Sequence, residues 1–114
     1  MKKGPEFDAD VRQAIESDPE FAAEYFAELS ERPLPVQLSI LRKYLGVTQE
    51  KLSQTLNCKQ THISRLEKEG SDHRISAYRR AAERLGARLV MIPSNMVLVP
   101  KSHWRKVRGA HARA

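Results

Sequence analysis

The chain has 114 residues, of which 20 are Lys or Arg and 14 are Asp or Glu, giving a formal net charge of +6. That length suits one compact domain with an appended segment. No apolar run approaches the ~20 residues of a membrane-spanning helix, the N-terminus lacks the apolar core of a signal peptide, and one cysteine cannot form an internal disulfide. We therefore expect a cytoplasmic protein that does not enter the membrane.

The charge is divided unevenly along the chain. Residues 1–33 contain four Lys or Arg and nine Asp or Glu, whereas residues 34–114 contain sixteen and five. An acidic N-terminal arm on a basic body suggests two partners, with a polyanion for the body and something else for the arm. The alternative is that amphipathic helices simply carry charges on their solvated faces.

The acidic arm, residues 1–33, is predicted to contain two helices. The first covers residues 8–17 and has apolar side chains at helical spacing. The second begins at Asp18-Pro19, an N-cap followed by proline at the first helical position, and runs to about Glu31. Its apolar stripe either packs on the domain core or binds a partner. The stripe consists of Phe21, Tyr25, Phe26 and Leu29.

The next helix is predicted over Val36–Leu45, after the chain break at Pro33-Leu34-Pro35, and it ends at Gly46. Leucines at helical spacing give it a core face. Arg42 and Lys43 are expected to point away from that face.

The segment Thr48–Gly70 predicts two short helices joined by a tight turn. Thr48 is a suitable N-cap for a helix to Leu56, and Asn57 readily takes the left-handed conformation that a turn needs. A second helix, from Gln60 to Lys68, then places Ile63 and Leu66 inward. The outer face of this helix carries Gln60, Thr61, His62, Ser64 and Arg65.

This segment resembles the helix-turn-helix of the Xre/phage-repressor family, whose usual pattern is TQ-x-x-LA-x-x-LGVSQ-x-x-IS-x-LE-x-G. Three positions differ mildly from it: Ser53 replaces the commoner Ala, Asn57 the commoner Gly, and Cys58 the commoner Val. The resemblance covers about residues 34–86. The matching residues are Thr48, Gln49, Leu52, Leu56, Gln60, Ile63, Ser64, Leu66, Glu67 and Gly70.

The resemblance implies double-stranded DNA as the partner and assigns roles by position. The outer residues of the second helix, Gln60, Thr61, His62, Ser64 and Arg65, would read base edges. Their chemistry suits this, since Gln pairs bidentately with adenine and Arg with guanine. Gln49 is the family position that contacts backbone phosphate. Further candidates for phosphate contact are Lys59, Lys68, and Arg42 or Lys43.

Beyond this motif, Ser76 is predicted to cap a helix over Ala77–Leu85 that stops at Gly86. Two β-prone runs, 88–92 and 96–99, then flank Pro93-Ser94-Asn95. They predict a hairpin or two short strands. Because an isolated hairpin is marginal in water, it should pack on the helices or pair with its copy in a second chain. The predicted dimerisation residues are Leu89, Val90, Met91, Ile92, Val97 and Leu98.

The last segment, residues 101–114, has five Lys or Arg and no acid, with little to bury except Trp104. We expect it to be mobile in the free protein.

Catalytic chemistry is not indicated. The four histidines lack metal-ligand spacing with one another or with carboxylates, and there is no glycine-rich phosphate loop. Cys58 and His62 are four residues apart, but two ligands do not make a zinc site. We predict no enzyme, no metal and no cofactor.

The expected fold is mainly α: a lambda-repressor-like helix-turn-helix bundle (34–86) with an N-terminal helical arm (1–33), a short β dimerisation segment (87–100) and a basic tail (101–114). The expected function is a homodimeric repressor that binds a palindromic operator. The helix-turn-helix followed directly by LGxxL (residues 85–89) and strand residues resembles HipB-like and HigA-like antitoxins, and the arm segment DPEFAAEYFAEL (residues 18–29) resembles addiction-module antidotes. These resemblances imply a toxin as partner and autoregulation of the operon. The alternatives are a plain repressor without a toxin, and a protein-interaction adaptor that works through the arm or tail.

Overall fold

A computed structural model describes residues 6–70, 72–96, 99 and 101. These residues form two compact units: one contains residues 6–8 and 32–91, and the other contains residues 9–31 and the described residues from 92 onward. Within the described residues the regular structure is entirely helical, and none of these helices is long and apolar enough to cross a membrane. The helices are α1 (Ala9–Ser17), α2 (Pro19–Leu29), α3 (Leu34–Tyr44), α4 (Gln49–Leu56), α5 (Gln60–Leu66) and α6 (Ile75–Arg84).

In the smaller unit, α1 packs against α2. The predicted start of α2 is confirmed: the Asp18 Oδ1 atom accepts hydrogen bonds from the backbone N–H of Glu20 at 3.0 Å and of Phe21 at 3.3 Å. These bonds satisfy two N–H groups that have no partner within the helix. Pro19 follows at the first helical position, where its missing N–H costs nothing.

The larger unit has a core to which α3, α4, α5 and α6 all contribute. The most deeply buried large side chains are Leu52 on α4 and Ile63 and Leu66 on α5, so the predicted inward face of the second helix is confirmed. Burying a side chain of this size stabilises the fold by about 1.5–3 kcal/mol. The remaining buried members of the core cluster are Leu38, Tyr78 and Ala81.

The turn between α4 and α5 also forms as predicted. The Thr48 hydroxyl accepts a hydrogen bond from the Lys51 N–H at 3.0 Å, which caps α4. Asn57 ends α4 with φ 58° and ψ 47°, and it is the one non-glycine residue with positive φ in the described chain. Asn tolerates this conformation better than other residues with a side chain, which explains its presence where Gly is commoner.

Several predicted helix boundaries differ from the structure by one or two residues, among them the end of α2, which is Leu29 and not about Glu31. Helix α3 begins at Leu34, two residues early, because Pro35 is tolerated in a first helical turn. Helix α5 ends at Leu66, so Lys68 lies beyond it. Helix α6 begins at Ile75 after Arg74, without a side-chain cap, so Ser76 lies inside the helix and is not its N-cap.

The segment after α6 shows no strand in its described part, residues 87–96. The turn expected at Pro93-Ser94-Asn95 is present, because the Met96 N–H donates a hydrogen bond to the Pro93 carbonyl at 3.0 Å. Leu89 is half-buried and packs against the helical core of its own chain. Val97 and Leu98 lie outside the described residues, as does the tail from residue 102.

The Tyr78 hydroxyl links α6 to the end of α5. It donates a 2.8 Å hydrogen bond to the Leu66 carbonyl at the end of α5. Burial, and secondly the Asp72 carboxylate, raise the pKa of Tyr78 above 10. Above pH 10 the native state therefore holds more protons than the unfolded state, so stability falls with rising pH.

We expect Tyr78→Phe to lose about 1 kcal/mol at pH 7, because the Leu66 carbonyl loses its partner. The difference in unfolding free energy between wild type and variant should shrink as pH rises above 10. Urea unfolding at pH 7 and at several alkaline pH values measures both quantities. A difference that stayed constant across this range would contradict the assigned role of the hydroxyl.

Candidate nucleic-acid interface

The outer face of α5 is formed by the five residues that the sequence proposed as base readers. Ile63 and Leu66 anchor the helix, so with 3.6 residues per turn Thr61 and Arg65 point away from the core. Gln60 and His62 flank them on opposite sides. All five are exposed: Gln60, Thr61, His62, Ser64 and Arg65.

Helix α5 is held rigidly against α4. Ser53 on α4 is buried, and its hydroxyl donates to the Glu50 carbonyl at 2.7 Å, so this small side chain is accommodated without an unpaired polar group. The Cys58 N–H donates to the Ser53 carbonyl at 2.9 Å, which fixes the turn. Half-buried Cys58 packs against the core, as expected of a small apolar residue in this turn. A short helix fixed in this way can present side chains to a groove with little loss of conformational freedom on binding.

Arg42 is not an exposed cation, which corrects the sequence prediction. Its side chain is 4% exposed, and the guanidinium makes a bidentate ion pair with Glu67 through Nε and Nη2, with Nη2–Oε1 at 2.9 Å. Its Nη1 donates to the Val47 carbonyl at 2.8 Å. Arg42 therefore joins α3 to the end of α5 and to the loop before α4. We remove it from the candidate phosphate contacts.

The Glu67 carboxylate also holds Gln49, the candidate phosphate contact at the start of α4. Gln49 Nε2 donates to Glu67 Oε1 at 3.0 Å. The Glu67 side chain is only 5% exposed, whereas Gln49 is half-buried. One buried carboxylate thus receives donors from both α3 and α4.

The remaining candidate phosphate contacts are lysines. Lys59, which precedes α5, and Lys68, which follows it, are exposed, and Lys43 is half-buried. Residues 48–70 contain four Lys or Arg and three Glu, so this segment carries little of the excess positive charge of the chain. Attraction to a polyanion therefore depends on a few well-placed lysines and on cations outside the segment.

The predicted partner-binding residues lie together on α2. The ring centroids of Phe21 and Tyr25 are 6.1 Å apart, and those of Tyr25 and Phe26 are 5.4 Å apart with the rings edge to face. All three side chains are half-buried. Phe7 behaves differently, because it makes an edge-to-face contact with Tyr44 of α3 at 5.3 Å. Packing within its own domain accounts for Phe7.

Two of the predicted dimerisation residues are strongly exposed. Val90 is 64% exposed and Met91 is 96% exposed, whereas Leu89 packs on the core and Ile92 is half-buried. Apolar side chains that solvent reaches contribute to stability when a second surface covers them. Val90 and Met91 therefore remain the candidates for contact with another chain.

Sequence reasoning missed the role of Glu67. The residue matched the family pattern, but its partners lie 25 and 18 positions earlier in the chain, at Arg42 and Gln49. No local pattern links these positions. One signal was present: a glutamate directly after a helix expected to contact DNA would repel phosphate unless a cation neutralised it.

No family model, curated protein or solved structure matches the chain. The resemblance to the Xre/phage-repressor family therefore rests on the Thr48–Gly70 pattern.

Proposed function

We propose that this protein is a sequence-specific DNA-binding repressor with a lambda-repressor-like helix-turn-helix, which binds a palindromic operator as a homodimer. In this proposal α5 enters the major groove, where Gln60 and Arg65 bond to base edges. Gln49, Lys59, Lys68 and Lys43 contact phosphates.

The observation that carries the proposal is the outer face of α5. Five side chains able to contact bases are exposed on a helix whose inner face is fully buried, and that helix packs on α4 across a tight turn. Because one short helix reads only a few base pairs, useful specificity requires two half-sites and hence a dimer. Val90 and Met91 are the surface we assign to the second protomer.

As the finer part of this proposal, the protein is an antitoxin that binds a toxin through α2 and represses its own operon. Two features support this: the half-buried aromatic cluster of Phe21, Tyr25 and Phe26, and the exposed glutamates Glu20, Glu24 and Glu28 spaced along the same helix. Co-expression with the product of the adjacent gene tests it. We expect a stable complex, and we expect Phe21→Ser/Tyr25→Ser to disrupt it without unfolding the protein. If no complex forms, the proposal is reduced to a repressor without a toxin.

The salt dependence of DNA binding tests the main proposal. Three lysines on each of two protomers would neutralise six phosphates, so a plot of log K against log salt should have a slope of about −5. Lys59→Ala should make the slope shallower by about 2, because both protomers lose one contact.

Fluorescence anisotropy provides the measurement, using a duplex selected by the protein from a random pool. A scrambled duplex of equal length is the control for sequence preference. Equal affinity for both duplexes, or a flat salt dependence, would contradict a sequence-specific DNA-binding function.

A further inference from the structure

We propose that Glu67 is a positioning residue for DNA binding: its buried carboxylate holds the Gln49 side-chain amide in the orientation that contacts phosphate. This inference rests on the proposed function, because it concerns the same interface.

The hydrogen bonds fix the orientation of the amide. Glu67 Oε1 accepts from Gln49 Nε2 at 3.0 Å and from Arg42 Nη2 at 2.9 Å. An ionised carboxylate can only accept, so the amide must turn its NH₂ group, and not its oxygen, toward Glu67. That nitrogen carries two hydrogens, and the second is left to donate to a phosphate oxygen.

Arg42 makes this arrangement compatible with DNA. An unpaired carboxylate beside a phosphate would repel it, but the bidentate guanidinium gives the pair no net charge. The pair joins α3 to the end of α5, and the hydrogen bond from Gln49 to the same carboxylate ties the beginning of α4 to that end. Arg42 and Glu67 thus act on DNA through Gln49, without touching it.

This role predicts a specific coupling. Removing the ion pair should weaken DNA binding only while Gln49 is present, because the hydrogen bond from Gln49 is the path by which Glu67 acts on DNA. Gln49 is neutral and releases no counterion, so its loss should leave the salt slope unchanged.

The test compares wild type, Gln49→Ala, Arg42→Met/Glu67→Leu and the triple variant. The probe is the duplex selected by the wild type, measured by anisotropy at several KCl concentrations. We expect Gln49→Ala and the double variant each to weaken binding by at least about a hundredfold, which corresponds to one hydrogen bond to a charged group on each of the two protomers. The triple variant should bind no more weakly than either, and all slopes should match the wild type.

Two results would overturn the inference. If the effects multiply in the triple variant, the pair acts independently of Gln49. If the slope becomes shallower when Arg42 is removed, Arg42 itself neutralises a phosphate.

Unfolding curves establish that each variant is folded. If the double variant does not fold, Glu67→Gln with and without Gln49→Ala replaces it in the same comparison. An amide at position 67 has one acceptor oxygen in place of two and carries no charge, so it cannot satisfy Arg42 and Gln49 together as the carboxylate does, although it keeps the shape of the side chain. A wild type that fails to bind any selected duplex overturns the proposed function together with this inference, whereas multiplying effects with wild-type binding intact overturn the inference alone.

Discussion

Replacing Arg42 with alanine should destabilise the protein by roughly 3–5 kcal/mol, because it leaves the Glu67 carboxylate buried without its counterion. The Val47 carbonyl would also lose its 2.8 Å donor. Small domains are stable by only about 5–15 kcal/mol, so much of the native state would be lost on warming. Urea unfolding followed by circular dichroism at pH 7 measures the effect.

Two controls separate the buried charge from the mere loss of an arginine. Arg79→Ala removes an exposed arginine on α6 and should change stability by less than about 0.5 kcal/mol. Arg42→Met/Glu67→Leu removes both charges and fills the space with apolar side chains, which in other buried pairs is nearly neutral or stabilising. A cost below about 1 kcal/mol for Arg42→Ala would mean that water reaches Glu67.

Replacing Gln60 and Arg65 with alanine should remove most of the sequence preference of DNA binding. A good bidentate contact contributes about 1–3 kcal/mol of discrimination between bases, so losing two such contacts on each of the two protomers should cost about 4–12 kcal/mol. The selected duplex should then bind at least about 700-fold more weakly. Because both side chains are exposed, the melting temperature should change little.

A matched control for this experiment is Gln54→Ala/Arg79→Ala, which removes one exposed Gln and one exposed Arg from α4 and α6. Both double variants lose one positive charge, so any general weakening of DNA binding should appear in both. The control variant should keep its preference for the selected duplex. If Gln60→Ala/Arg65→Ala keeps that preference, α5 does not read the operator.

Features that depend on neighbouring residues could be predicted from the sequence. The caps at Asp18 and Thr48 and the left-handed turn at Asn57 form because each is decided within a few positions of the chain. The inward face of α5 was equally accessible, since the spacing of Ile63 and Leu66 is a local pattern.

Features that depend on distant residues could not be predicted in this way. Its spacing along the helix predicts that Arg42 lies on the surface. Only the folded structure shows that the Glu67 carboxylate forms an ion pair with it. The segment after α6 illustrates the same limit. Its apolar run suits a strand by composition, and only the folded arrangement shows that Leu89 packs against the helical core.

The ion pair also has a consequence for the kinetics of folding. Glu67 can leave water only after α3, α4 and α5 have come together, and its contact with Arg42 closes a long loop of chain, so the pair should form late. A contact absent from the transition state slows unfolding without speeding folding. The pair would then set the lifetime of the native state by slowing unfolding. In a chevron plot, Arg42→Ala should change the rate constants almost wholly in the unfolding limb.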